Sequence, residues 1–290
     1  MRAPFLIDTH CHLDAAQFAD EPVADLLARA AAAGVGRMVT IGTNLITSRA
    51  AVALADAHAP VYATVGVDPN EAAGYDAAAR AELRALAAHP KVLAIGEIGL
   101  DYHWMVSPAD HQADVLADQL ALAGELGLPV VIHCRDAHED AEHVLGAWAA
   151  ERRRAGWRAE RPVGVMHCYS GDLAEAQRLH AAGWLVSLAG PVTYKNAVRG
   201  REVAAGLPLE ALVLETDSPY LTPVPRRGAR NEPAFVRHTA EFVAGLRGLD
   251  LAALAAATTA NAARLFAGGL ADGAVAAGTS GAGPVTGEPA

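Results

Sequence analysis

The feature that most limits what this 290-residue chain can fold into is a repeated alternation of a short apolar run and a longer stretch with helical spacing. Eight apolar, often β-branched runs stand out, at residues 5–9, 38–42, 61–67, 92–96, 129–133, 163–167, 184–189 and 212–216. Their near-continuous apolar character reads as strands buried on both faces, the habit of a parallel sheet. Between them, residues 22–33, 48–58, 77–89, 108–126, 137–154 and 172–182 are rich in Ala, Leu, Arg and Glu at helical spacing. Strands alternating with helices predict βαβ units. Gly34, Gly127 and Gly183 stand between a helix and the next strand, where a helix commonly ends. Ser48 and Asp172 are suited to cap helix N-termini. Eight such units are the count of a (β/α)8 TIM barrel, a single domain of about 250 residues. The rival, a doubly wound open sheet, is weakened because the first strand-to-helix turn lacks Gly-x-Gly-x-x-Gly, the dinucleotide fingerprint.

The barrel domain is expected over residues 1–267. A polar loop at 223–231 leads into two more helices, near 233–246 and 250–266. Residues 268–290 are rich in Gly, Ala, Thr and Pro without periodicity, and are expected to be a disordered tail. With 52% hydrophobic residues a sizeable core is available. A net charge of −10 argues against coating nucleic acid by bulk charge, and leaves room for a local basic patch. The three cysteines, Cys11, Cys134 and Cys168, give no disulfide framework and point to a reducing compartment. No signal-like segment and no bilayer-length apolar run is evident, so a soluble cytoplasmic protein is expected.

In a barrel of this kind the chemistry lies at the C-terminal ends of the strands. The first run ends in His10 and His12, which a period of two places on one face, with Cys11 on the other. The fourth ends in Gly96-Glu97-Ile98-Gly99-Leu100-Asp101-Tyr102 and the fifth in His133-Cys134-Arg135. The sixth ends in His167-Cys168-Tyr169-Ser170-Gly171 and the eighth in Glu215-Thr216-Asp217-Ser218-Pro219-Tyr220. One strand-end histidine is ordinarily structural. Four histidines and two or more carboxylates at equivalent places in five strands point to divalent metal, with donors enough for two ions. Each cysteine follows one of these histidines, so alternation turns its thiol from the lumen. All three read as packing residues, with oxidation or metal binding by one of them as the alternative. A two-metal site with open positions suits hydrolysis, because the ions activate a shared water and polarise the scissile group.

These motifs, together with Asp8-Thr9-His10-Cys11-His12-Leu13-Asp14 and the stretch 223–233, resemble the TatD family of metal-dependent hydrolases in the amidohydrolase superfamily. The resemblance runs from residue 1 to about 267, with six motifs in order. It implies a TIM barrel and a metal-dependent deoxyribonuclease or related phosphodiesterase, working as a 3′-5′ exonuclease on single strands. It makes His10 and His12 ligands of one metal, completed by Asp217, with Glu97 bridging to a second held by His133 and His167. Glu97 and Asp217 are the catalytic carboxylates in this reading, Asp217 placed to accept a proton from the attacking water. The ions can be magnesium, manganese or zinc: imidazole donors suit zinc and manganese, whereas magnesium prefers oxygen.

Arg226, Arg227 and Arg230, after the eighth run, are candidates for phosphate contacts through bidentate hydrogen bonds. Arg135 and Lys195 are further candidates. Tyr102, His103, Trp104 and Tyr169 can stack on bases or pack the loops, packing being favoured. Asp101 and Glu215 are suited to orient ligands. One departure stands out. Family members usually carry His-Pro after the third strand, and this chain has Asp68-Pro69. An ionised aspartate only accepts hydrogen bonds, so it repels a phosphodiester unless compensated. Rate or substrate choice is what the change affects. Two alternatives follow. The same centre can hydrolyse another ester or amide, such as an aminoacyl-tRNA ester or a lactone, since fold and ligands fix chemistry more than substrate. The chain can also bind metal and nucleotide without turnover. Oligomeric state is open, and a monomer is compatible with a complete barrel.

Overall fold

The computed structural model describes residues 5–267 and residue 270. Eight strands form one sheet in sequence order: β1 (Leu6–Cys11), β2 (Val35–Ile41), β3 (Val61–Val65), β4 (Val92–Asp101), β5 (Val130–Arg135), β6 (Gly164–Met166), β7 (Trp184–Leu188) and β8 (Leu212–Leu214). Every adjacent pair is parallel. The sheet curls until its ends meet. Thr9 Oγ1 donates to the Leu214 carbonyl at 3.1 Å, His12 N donates to the Ser218 carbonyl at 2.8 Å, and Cys11 bridges Ser218. Helices α1 (Val23–Ala32), α2 (Leu45–Ala57), α3 (Ala77–Leu86), α4 (Ala109–Leu126), α5 (His138–Arg154), α6 (Leu173–Ala181) and α7 (Val198–Gly206) link successive strands. Helices α8 (Val236–Arg247) and α9 (Leu251–Leu265) follow the last strand. The architecture is the expected (β/α)8 TIM barrel.

Some local expectations are corrected. Helix α2 begins before Ser48, and its cap is Asn44, whose side chain accepts from the Ile46 and Thr47 amides. Ser48 is instead buried in the first turn, exchanging hydrogen bonds with the Gly66 backbone at 3.2–3.3 Å. Asp172 does cap α6, accepting from Glu175 N. Gly34, Gly127 and Gly183 take positive φ, Gly127 as the left-handed C-cap of α4. Helix α7 had no counterpart in the sequence reading, because its glycines at 200 and 206 and its arginines blur the helical period. Strand β4 continues past Gly96 to Asp101 and carries a chemical motif inside a strand rather than after one.

The apolar core has two parts. One lies between strands and helices, with Leu6, Cys11, Ile95 and Trp184 among its members. The other takes residues from all eight strands: Ile7, Val39, Ile41, Tyr62, Leu93, Ala94, Val131, Val165, Leu185 and Val213. Leu265, Phe266 and Leu270 at the end of α9 join this second cluster. It fills the lower lumen and stoppers it. Complete burial of each large apolar side chain contributes about 1.5–3 kcal/mol. Among the described residues no single helix is long and apolar enough to cross a membrane. The tail expected to be disordered lies outside the described residues, apart from Leu270.

Candidate metal centre

Above the stopper the same strands turn polar. On β5 and β6, alternation carries the apolar lumen residues Val131 and Val165 to His133 and His167, one step of two later. Beyond β8 the same step leads from Val213 to Glu215 and Asp217. β1 and β4 depart from it. Ile7 belongs to the lumen cluster, yet His10, at the opposite parity, reaches the same polar group. Register shifts between Asp8 and Cys11 and between Ile95 and Ile98 account for this, since a bulge re-aims the following side chain. Just past the second shift β4 runs so close to β5 that a Cβ at Gly99 would lie 1.9 Å from the His133 carbonyl oxygen. Asp8 fastens the barrel seam below the site, accepting from Thr216 N at 2.8 Å and Thr216 Oγ1 at 2.5 Å.

The predicted ligands converge. His10 Nε2 stands 3.3 Å from His12 Nε2, 3.4 Å from Glu97 Oε2 and 3.6 Å from Asp217 Oδ1. His12 Nε2 is 3.4 Å from the same Asp217 oxygen. On the other side of Glu97, Oε1 lies 2.8 Å from His133 Nδ1 and 2.9 Å from His167 Nε2, and those two nitrogens are 3.4 Å apart. His10 and His167 stack at 4.0 Å between ring centroids, which brings the two sets face to face. Three overlapping triads have donor atoms all within 4.8 Å of one another: His10, His12 and Glu97; His10, His167 and Asp217; Glu97, His133 and His167.

The donor spacing fits a divalent cation. Tetrahedral ligands on bonds of 2.0–2.1 Å sit roughly 3.3 Å apart along each edge. The His10, His12, Glu97 and Asp217 separations cluster near that value, longer than hydrogen bonds between the same groups. The Glu97, His133 and His167 contacts are shorter and have hydrogen-bond length.

The electrostatics make the same demand for positive charge. Burial disfavours the Glu97 carboxylate, but His167 and hydrogen bonds from His10, His133 and His167 hold its pKa well below the usual range. Asp217 is likewise lowered, its burial outweighed by His12 and the other imidazoles. Burial opposes charge on the histidines too. It prevails at His10, whose pKa is lowered by burial and then by the neighbouring His167. Carboxylates prevail elsewhere: Asp217 raises His12, Glu97 and Glu215 lift His167 well above normal, and Asp101 with Glu97 brings His133 to about 9.

A second layer aims these groups. Asp101 is held near 2 against its burial by His133 and nearby amides. It accepts from His133 Nε2 at 2.9 Å, and Gln112 grips its backbone on both sides, at 2.8 and 3.0 Å. Glu215 Oε1 is 3.4 Å from His167 Nδ1 and accepts from Cys168 N at 2.6 Å. Both placements are those expected of orienting partners. Asp68 Oδ1 accepts from the Asn70 and Glu71 amides, closing the turn after β3. Burial, and then Glu97, push its carboxyl up to about 7.

The substrate candidates separate. A cavity of about 660 Å³ opens beside His133, His167 and Asp217, and Arg135 borders it. Arg226, Arg227 and Arg230 do not line it. Arg226 lies over Phe235 and Arg227 over Tyr194, at 5.6 and 4.3 Å from the ring centroids. Arg230 is tied to Glu21 Oε2 at 2.5 Å and the Gln17 carbonyl at 2.9 Å. Tyr102 and Tyr169 donate to Asp140 and to the Asp172 carbonyl, as packing residues do. His103 pairs with Asp136, while Trp104 is 62% exposed with the Arg135 guanidinium 5.4 Å from its ring centroid.

The cysteine expectation holds for Cys11, which is buried in the outer core, and in part for Cys134, which packs against that core. Cys134 and Cys168 are half-buried and border the cavity. They stand at strand ends that rise above the packed part of the barrel. Cys168 also has φ +42°, so regular alternation has ended there. The sequence reading missed Asn196 and Arg199, which line the same cavity. The signal available for them was a polar stretch directly after the seventh apolar run.

A sequence profile described as TatD related DNase matches residues 7–267. The chain is 41% identical over 261 residues to the metal-dependent hydrolase YabD of Bacillus subtilis, covering 90% of this chain and 98% of the relative. It is 40% identical over 268 residues to the 3′-5′ ssDNA/RNA exonuclease TatD of Cronobacter sakazakii, covering 90% and 97%. Among solved structures, the TatD homologue YJJV of Escherichia coli matches with a TM-score of 0.82 at 32% identity, over 90% of this chain and 98% of that one.

Proposed function

The chain belongs to the TatD family of metal-dependent hydrolases, and from that premise we propose that it cleaves phosphodiester bonds of DNA from the 3′ end of single strands with two divalent ions. The observation that carries the two-ion reading is Glu97, whose oxygens address different histidine pairs: Oε2 toward His10 and Oε1 toward His133 and His167. In this reading His10, His12 and Asp217 would hold one ion and His133 and His167 the other, with Glu97 available to both. The bound ions supply Lewis acidity, which lowers the pKa of a water and takes up charge that develops on the phosphate.

The remaining work belongs to the chain. Asp217 keeps its carboxylate ionised beside His12 and can take the proton of the attacking water. Asp101 and Glu215 hold His133 and His167 with the correct ring nitrogen forward. Arg135, Arg226 and Arg227 are proposed contacts for the strand's phosphates. Arg230, engaged with Glu21, acts on the loop that carries Arg226 and Arg227. The exonuclease naming of the Cronobacter relative supports the substrate class.

Incubating metal-free protein with end-labelled single-stranded DNA, alone and with magnesium, manganese or zinc, tests this reading. Metal-dependent shortening from the 3′ end that Asp217→Asn abolishes is the expected result. Intact DNA with metal still bound would overturn it. One observation then favours hydrolysis of a neutral ester or amide. Asp68 adds an acidic group near enough to Glu97 for the two to oppose each other's ionisation.

A further inference from the structure

The cavity beside the metal centre has two unlike walls. One is apolar and comes from the segment after β7, with Pro191, Val192 and Val198; Val198 is 62% exposed. The other is cationic, with Arg135 at the end of β5 and Arg199 at the start of α7. Asn196, between Val192 and Val198 in sequence, also lines the space. The volume, about 660 Å³, is that of a small-molecule site rather than of an open groove.

The apolar wall is braced. Thr193 Oγ1 accepts from Val224 N at 2.9 Å, and Tyr194 Oη donates to the Thr222 carbonyl at 3.0 Å. Arg201 donates to the Tyr194 carbonyl at 2.7 Å. A wall fixed in this way meets a flat ligand without an ordering cost.

The arginines differ in what they already hold. Arg29, Arg80 and Arg178 are paired with carboxylates, and Arg152 and Arg247 with backbone carbonyls. Among the described residues neither the Arg135 nor the Arg199 guanidinium is held by a side-chain hydrogen bond or a close ion pair: Arg135 lies 5.4 Å from the Trp104 ring centroid, and Arg199 acts on Asp172 only through its charge. In a chain of net charge −10, two such guanidiniums beside a cluster of metal-type ligands call for an external anion. A simple phosphate would use the arginines and leave the apolar wall and the amide without a role. A nucleotide uses all three: a planar base for the wall, donors and acceptors at its edge for Asn196, and phosphate oxygens for the arginines.

Resting on the phosphodiesterase reading above, we propose that this cavity is a nucleotide subsite: Pro191, Val192 and Val198 pack against one base, Asn196 contacts its edge, and Arg135 and Arg199 hold the adjoining phosphate. The nucleotide held here therefore enters from the β5–β7 side of the mouth.

The test measures binding of thymidine 5′-monophosphate, thymidine and inorganic phosphate to the manganese-loaded protein by calorimetry, with KM and kcat on a short single-stranded oligonucleotide. The variants are Arg199→Ala, Arg135→Ala and Val198→Glu. Arg154→Ala, which removes the same charge at the far end of α5, is the control. Expected are at least tenfold weaker monophosphate binding and a tenfold higher KM in each of the three, with kcat changing less than threefold, and a control like wild type. Monophosphate that binds no tighter than inorganic phosphate would overturn the base pocket. Unchanged monophosphate binding in Arg199→Ala and Arg135→Ala would overturn the subsite. Monophosphate bound as expected, with no DNA cleaved by wild type, sinks the phosphodiesterase reading and leaves the subsite standing. Cleavage with KM unmoved in all three variants sinks the subsite and leaves that reading standing.

Discussion

The two ends of the barrel lumen are built from the same strands and are chemical opposites. At the lower end Ile7, Val131, Val165, Leu185 and Val213 pack with Phe266 from α9. At the upper end, one alternation step along β5 and β6, stand His133 and His167, joined by His10, His12, Glu97 and Asp217. Strain is distributed just as unevenly. Among the described residues six non-glycines have positive φ: Met105, Asp136, Cys168, Asp217 and Leu221 lie on loops that follow strand ends at the mouth, and only Ala267 lies beside the stopper. Each such backbone costs about 1–3 kcal/mol and persists only where surrounding structure holds it. The stopper makes the floor of the site apolar, so the charges above it interact more strongly than they would in water. One end is for stability and the other for chemistry, and each should respond to its own kind of damage.

The sharpest division is expected from Glu97→Gln. Removing the carboxylate that faces both histidine pairs should lower kcat roughly a thousandfold. Metal content by mass spectrometry should fall with it, and the unfolding midpoint of the metal-free protein should barely move. A strongly destabilised but active variant would break the division. Phe266→Ala is the mirror experiment. It opens the stopper, should cost about 3–5 kcal/mol in denaturant unfolding, and should leave kcat per folded molecule intact. Metal binding couples the two ends. Saturating ions at a hundred times Kd should raise stability by about 2.7 kcal/mol, and His10→Ala should lose most of that gain. Asp101→Asn tests the layer behind the ligands, with a 10–100-fold loss of metal affinity by competition with a chelator. The smallest effect is expected from Asp68→His. It should cost about 1 kcal/mol by uncapping the turn at Asn70 and Glu71, and raise kcat/KM on DNA severalfold by removing an acidic group near Glu97.

Much of this was legible beforehand because it depends on local periodicity. A parallel strand buried on both faces leaves a near-continuous apolar run, and all eight runs became strands. His133 and His167 were legible because their strands keep a period of two to the end. His10 and Glu97 were legible only as motifs, since the shifts that aim them, at Asp8–Cys11 and Ile95–Ile98, arise from pairing with β2 and β5. The arginines show the opposite limit. Their number after the eighth run made that loop the candidate for phosphate, yet Arg230 is occupied by Glu21, far away in sequence, while Arg199 was passed over. Ser48 looked like a cap, but Asn44 began the helix first and left Ser48 to the Gly66 backbone.

What the sequence by itself determined was the repeat, the fold that eight such repeats close into, and the residue types at the strand ends. All of these follow from the chain's own period and from sterics that act within a few residues. What only the tertiary structure decided was which atoms face one another. The two oxygens of Glu97 divide between His10 on one side and His133 with His167 on the other, Cys134 and Cys168 border the cavity, and Arg135 and Arg199 line it while Arg230 is tied to Glu21. Those outcomes depend on register shifts and on partners tens to hundreds of residues away, and no local pattern encodes them.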